Sequence, residues 1–126
     1  MSRRLISSAQ PLEREFGYSR AVVADGRVYV AGTVARMDDG SDPPPDPYVQ
    51  ARRALEIILA ALEEAGSGRE HVVRTRLFIT RPEHLHEVGR AHGEVFGDVR
   101  PATTALVVGL PNPAWLVEIE ADAVLP

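Results

Sequence analysis

The sequence predicts an α+β domain in which a mixed β-sheet carries two helices packed on one face. Three observations lead there. Two pairs of β-rich runs flank tight turns, Asp25-Gly26 and Pro111-Asn112-Pro113, and read as antiparallel hairpins. Two longer stretches, Ala51 to Ala65 and Leu85 to Phe96, repeat apolar residues at helical spacing. The second of these helices links the strands Val72–Thr80 and Ala102–Leu110, and a helical crossover implies a right-handed connection with parallel pairing.

A short strand is expected at Arg4 to Ser7. Residues Ser19 to Val34 form the first hairpin, with Ala21, Val22 and Val23 leading into Asp25-Gly26 and Val28, Tyr29 and Val30 following. An Asp-Gly loop admits the positive φ values of a type I′ turn. Gly32 interrupts the second strand, the mark of a bulge or of the close approach of another group. The run DDGSDPPPDP is a loop, because proline fixes φ and lacks an N–H. Asp46 then caps a helix with Pro47 at its first position. Ala51, Ala54, Leu55, Ile58, Leu59, Leu62 and Ala65 form its apolar face, while Arg52, Arg53, Glu56 and Glu63 face solvent. Gly66 stops it.

The strand Val72–Thr80 sets Val73, Thr75, Leu77 and Ile79 on one side and Arg74, Arg76, Phe78 and Thr80 on the other. Thr80 and Glu83 read as a capping box that opens the second helix, which runs through Val88, Ala91 and Val95 to Gly97. Ala102–Leu110 and Leu116–Val124 close the sheet. No repeat or second domain is visible, so residues 1–126 form one domain.

Composition narrows the function. Apolar residues make up 44% and charged residues 25%, the balance of a chain that folds around a core. A net charge of -4 with scattered arginines argues against nucleic acid as the partner, since phosphate binding needs clustered cations. Without cysteine there is no disulfide, thiolate catalysis or cysteine-based zinc site. The first residues carry no apolar run of a signal peptide, and nothing is long and apolar enough to span a membrane, so the cytoplasm is the expected compartment.

The run ATTALVVGL is apolar or neutral on both faces: Thr103, Ala105 and Val107 point one way, Thr104, Leu106 and Val108 the other. A strand half in water alternates with charge; one buried on both sides does not. Two helices cover only one face of a sheet of this size. The other face therefore meets something, and a second copy of the chain is the simplest candidate.

Phosphate loops, GxSxG and HExxH are absent. His84 and His86 do not share a helix face, so no metal pair is expected. His92 sits at the edge of the second helix beside Val95 and Phe96. On the last strand Glu118, Glu120 and Asp122 share a side, facing solvent or lining a cleft where a carboxylate can deprotonate or orient water.

The segments GYSRAV, VYVAGT, VVRTRLFIT, GRAHGEVFG, RPATT and LPNPAWLVEIEADAV resemble the Rid (YjgF-type) family, some of whose members are called translation-inhibitor endoribonucleases. The resemblance covers Gly17 to Val124. It implies a chorismate-mutase-like fold assembled as a homotrimer with small-molecule clefts between subunits. Archetypal members hydrolyse enamines and imines such as 2-aminoacrylate to 2-keto acids and ammonia, with no cofactor. In them an arginine grips the substrate carboxylate and a glutamate fifteen residues later positions the attacking water. Glu118 falls on that glutamate; Tyr18 and Gly32 fall on two other cleft positions.

The departure lies in Pro101-Ala102-Thr103, where Thr103 stands in place of the arginine. Gly89 replaces an asparagine, and His92 a tyrosine. A threonine hydroxyl donates one neutral hydrogen bond, about half as strong as the charge-assisted pair of a guanidinium. Arg76, Arg100 or Arg90 could supply the missing charge; alternatively Arg74 and Arg76 pair with the acids of the last strand. Three functions follow: a hydrolase of imines or enamines using Glu118, a non-catalytic small-molecule binder, and a ribonuclease, the last least supported by charge and by the lack of a histidine pair.

Overall fold

The computed structural model describes residues 2–126. Its strands are β1 (Arg3–Ile6), β2 (Ala21–Ala24), β3 (Arg27–Thr33), β4 (Val72–Ile79), β5 (Ala102–Val107) and β6 (Val117–Val124). The helices are α1 (Pro11–Phe16), α2 (Pro47–Glu64) and α3 (Leu85–Phe96). One mixed sheet runs in the order β1-β2-β3-β6-β4-β5. β4 and β5 pair in parallel across α3, as the crossover predicts, and every other pair is antiparallel, including the β2–β3 hairpin. The second expected hairpin, across Pro111-Asn112-Pro113, does not form: β6 pairs with both β3 and β4, so β4 lies between β5 and β6 and β5 is left at the edge.

The β2–β3 turn has Asp25 at φ 52 and Gly26 at φ 74, both in the left-handed region that this two-residue loop needs. On α2, Asp46 caps as expected, its side chain accepting from the Val49 N–H at 3.0 Å. Ala51, Ala54, Leu55, Ile58 and Leu62 are buried, and with Val88, Ala91 and Phe96 of α3 they cover one sheet face. That face presents Val28, Val30, Thr75, Leu77, Ile79, Val117, Ile119 and Ala121, all buried. The other face carries Tyr29, Arg74, Arg76, Phe78, Glu118, Glu120 and Asp122, none of them buried. Among the described residues α2 and α3 pack on the opposite face.

Four further expectations need correction. α1 was not foreseen; it is one short turn-and-a-half segment, begun by Pro11 and ended by Gly17 at φ 78, and six residues are too few to show a period. Thr80 and Glu83 do not form a capping box. The Thr80 hydroxyl points to the Leu116 carbonyl and Glu83 pairs with Arg81, so a 3-10 turn at Pro82–His84 precedes α3. Val73 is exposed, not inward, because a register shift between Val72 and Arg74 turns Val72 into the core instead. β5 ends at Val107 rather than Leu110.

β5 is an edge strand, and all six of its residues are exposed, including Leu106 at 47% and Val107 at 55%. An apolar, unpaired edge is uncommon in a lone subunit. Among the described residues no helix is long and apolar enough to cross a membrane.

Candidate functional site

Glu118 stands on β6 between the buried Val117 and Ile119, so strand alternation turns it to the uncovered face. Its cross-strand neighbour on β4 is Phe78, which pairs in turn with Leu106 of β5. On its other flank β3 shifts register between Val30 and Thr33, and this irregularity brings Gly32 against the Glu118 carboxylate. Both readings of Gly32 hold: it lies in a bulge, and another group approaches it closely.

Tyr18, Gly32 and Glu118 line one cavity of about 170 Å³. Its wall also includes Arg20, Arg36 and Trp115, none of which the sequence singled out. Arg20 precedes β2, where its carbonyl accepts from the Ala31 N–H at 3.0 Å. Its Nη2 donates to the Gly32 carbonyl at 2.6 Å, while its Nε is buried without an acceptor. Burial lowers the Arg20 pKa, against the opposing pull of Tyr18, Glu13 and Glu118. An arginine nevertheless stays charged in a protein.

Burial likewise pushes the Glu118 carboxyl above the ordinary carboxylate range. Arg20 works against this rise and Glu120 adds to it. A carboxyl so placed holds its proton to higher pH than a solvated one, which suits a group that exchanges protons with bound water or substrate.

The remaining candidates lie elsewhere. Arg76 on β4 pairs with Glu120 at 2.9 Å and with Asp122 at 3.7 Å, and it does not line the Glu118 cavity. Thr103 and His92 belong to the helix-covered side. Thr75 Oγ1 lies 2.8 Å from His92 Nε2 and 2.8 Å from Thr103 Oγ1, and Thr103 Oγ1 also donates to the Pro101 carbonyl at 3.1 Å. One proton order satisfies all three: Nε2–H donates to Thr75, Thr75 to Thr103, and Thr103 to Pro101. Burial lowers the His92 pKa, which favours the neutral ring, and this order places that ring's proton on Nε2. Within one subunit β4 separates Thr103 from Glu118, and their side chains point to opposite faces.

Arg20 was legible in principle. With Ala21 opposite Val30, counting back from Asp25-Gly26 sets Arg20 across from Ala31, next to Gly32. Arg36 was not, since it lies past the end of β3, where no period applies. Among the described residues no three His, Asp or Glu side chains gather as a metal site requires.

The family model for Endoribonuclease L-PSP matches residues 9–125. The chain belongs to this family. Its relatives include an uncharacterized protein of Streptomyces coelicolor, 43% identical over 121 residues, covering 95% of this chain and 90% of the relative. The crystal structure of Rv2704 from Mycobacterium tuberculosis, a member of the YjgF/YER057c/UK114 family, is similar at TM-score 0.89 and 42% identity over 98% of this chain and all of that one (100%). YyfA of Yersinia pestis, from the conserved Rid protein family, matches at TM-score 0.86 and 29% identity, covering 98% and 100%. The L-PSP family thus takes in the Rid and YjgF proteins that the sequence resembles, and its mixed α+β fold is the one seen here.

Proposed function

We propose that this L-PSP family protein is a cofactor-independent hydrolase of small imines and enamines, working in clefts between the subunits of a homotrimer. The observation that carries the reading is Glu118, half-buried in a cavity beside Gly32 and Tyr18 with its carboxyl shifted toward the neutral form. In this scheme an enamine first tautomerises to its imine. Glu118 orients a water whose oxygen bonds to the imine carbon while the nitrogen gains a proton. The carbinolamine then expels ammonia and leaves the ketone. The exposed apolar residues of β5 support assembly, because a neighbouring copy would bury them.

One observation favours a second reading, a binder without turnover. Thr103 stands where the archetype has arginine, and its hydroxyl is already engaged by Thr75 and Pro101. Ribonuclease activity has less support, since no histidine lines the Glu118 cavity.

The test is to generate 2-aminoacrylate in place with a dehydratase and follow keto-acid release. Acceleration over buffer that disappears in Glu118→Gln, with assembly unchanged, supports hydrolysis. No acceleration, together with binding of small ligands in a thermal-shift panel, supports the binder. RNA cleavage indifferent to Glu118→Gln would overturn both.

A further inference from the structure

We infer that Arg20 and Arg36 form the anion-binding end of the Glu118 cavity and take the carboxylate of a small monoanionic ligand; this rests on the cavity proposed above being where the ligand binds. Two guanidinium groups and one carboxylate are the charged side chains of its wall. With Glu118 ionised the wall carries one excess positive charge; with Glu118 protonated it carries two. A single carboxylate restores balance in the first state and is still attracted in the second.

Among the described residues neither arginine is neutralised by a salt bridge. Among the described residues Arg20 has no ion pair, and Glu13, the other acid acting on it, is taken up by Ser7 and Ser8. Asp38, two residues on from Arg36, and Glu56, which lines a neighbouring cavity with it, are held by Arg53 instead. Two like charges therefore stand in mutual repulsion, Arg36 depressing the Arg20 pKa, with Glu118 as the one carboxylate of the wall to offset them. Such an arrangement is unfavourable when empty and relieved by an anion. The buried Nε of Arg20, which meets no acceptor among the described residues, is a second observation, since a buried donor without an acceptor is rare.

The shape of the site narrows the ligand. A planar guanidinium fork matches a carboxylate's two oxygens, and Arg20 is oriented by its bond to Gly32. Leu12, Val34, Ile57 and Trp115 supply apolar wall, and the volume of about 170 Å³ suits a short aliphatic substituent. The charge that Thr103 cannot provide would thus come from the subunit that provides Glu118, across the β2–β3 hairpin.

Isothermal titration calorimetry of the full chain with 2-oxobutanoate and its neutral amide tests this. Wild type should bind the carboxylate roughly 10-fold or more tightly than the amide, and Arg20→Gln and Arg36→Gln should each lose roughly 10-fold in carboxylate affinity with little change for the amide. Arg20→Lys should recover part of the loss. Because Arg20→Gln removes the donor to Gly32 and could unfold the hairpin, Arg36→Gln decides if it does, since the Arg36 side chain makes no hydrogen bond among the described residues. Equal binding of acid and amide, no carboxylate binding at millimolar concentration, or unchanged affinity in a folded glutamine variant overturns the inference. Keto-acid release run in parallel separates it from the hydrolase reading. Turnover with unaltered KM in both variants removes the anion site alone, and arginine-dependent binding without turnover removes hydrolysis alone.

Discussion

A β-carbon added to Gly32 would lie 2.7 Å from Oε2 of Glu118 and 2.9 Å from its Cδ, closer than real side chains approach. The two residues, on neighbouring strands, therefore share one volume. What Gly32→Ala meets is the far end of a flexible side chain, not backbone, so the carboxylate should move and the fold survive. We expect a stability loss of no more than about 1–3 kcal/mol with a much larger loss of ligand binding or turnover. Thermal unfolding beside a ligand titration checks this. A variant that melts early but binds normally would separate Gly32 from the site.

Glu118 itself should make stability depend on pH. Its folded pKa lies above the ordinary value of 4.5, so between the two the folded chain holds more protons than the unfolded one. Stability then falls as pH rises from 4.5 through the folded pKa, where the buried carboxylate must ionise. Glu118→Gln should gain on wild type over that range and match it below. Urea unfolding at a series of pH values measures the difference, and parallel curves for the two proteins would contradict the assignment.

The Thr75 hydroxyl joins His92 to Thr103, and Thr75 is fully buried. Thr75→Val keeps the shape and strands two polar groups, at an expected cost of about 1–3 kcal/mol. Because burial lowers the His92 pKa below 6.5, the unfolded chain takes up this proton first as pH drops. Stability contributed by the neutral ring is complete above pH 6.5 and lost below it. Titration of the His92 ring by NMR should show a midpoint under 6.5; a midpoint above it would refute the burial-favoured neutral ring.

Gln50 is fully buried and fastens three backbone groups, donating to the Pro44 and Ala114 carbonyls at 2.8 and 3.0 Å and accepting from the Leu116 N–H at 2.9 Å. It ties the proline loop to the entry of β6, two residues before Glu118. Gln50→Leu should destabilise by at least about 1–3 kcal/mol and speed amide exchange at Leu116. Unchanged protection there would show that the turn holds without it.

If copies of the chain bury β5, a charge on its apolar edge should separate them. Leu106→Glu is expected to convert a trimer into folded single subunits, read by sedimentation velocity at micromolar concentration. Wild type that already sediments as one subunit would remove the intersubunit cleft, and the proposed mechanism would then have to operate within one chain.

Much of this architecture is written in local pattern. Period-2 alternation set Val117, Ile119 and Ala121 on one side and Glu118, Glu120 and Asp122 on the other, as the burial along β6 has it, and the helical period around Leu55 and Ile58 marked the face that covers the sheet. Asp25-Gly26 and Asp46-Pro47 announced a turn and a helix start because those φ values and caps belong to single residue types. Family likeness brought Tyr18, Gly32 and Glu118 to notice, and the fold sets them around one cavity. What periodicity could not say is how strands and loops distant in sequence slide against one another. A one-residue register shift turned Val72 inward in place of Val73, and Thr80 found the Leu116 carbonyl rather than a helix end. Likewise Arg36 reaches the cavity from a stretch with no period at all. Local propensity acts over a few residues, whereas charges and hydrogen-bond partners that meet across the fold are chosen only when the chain has closed.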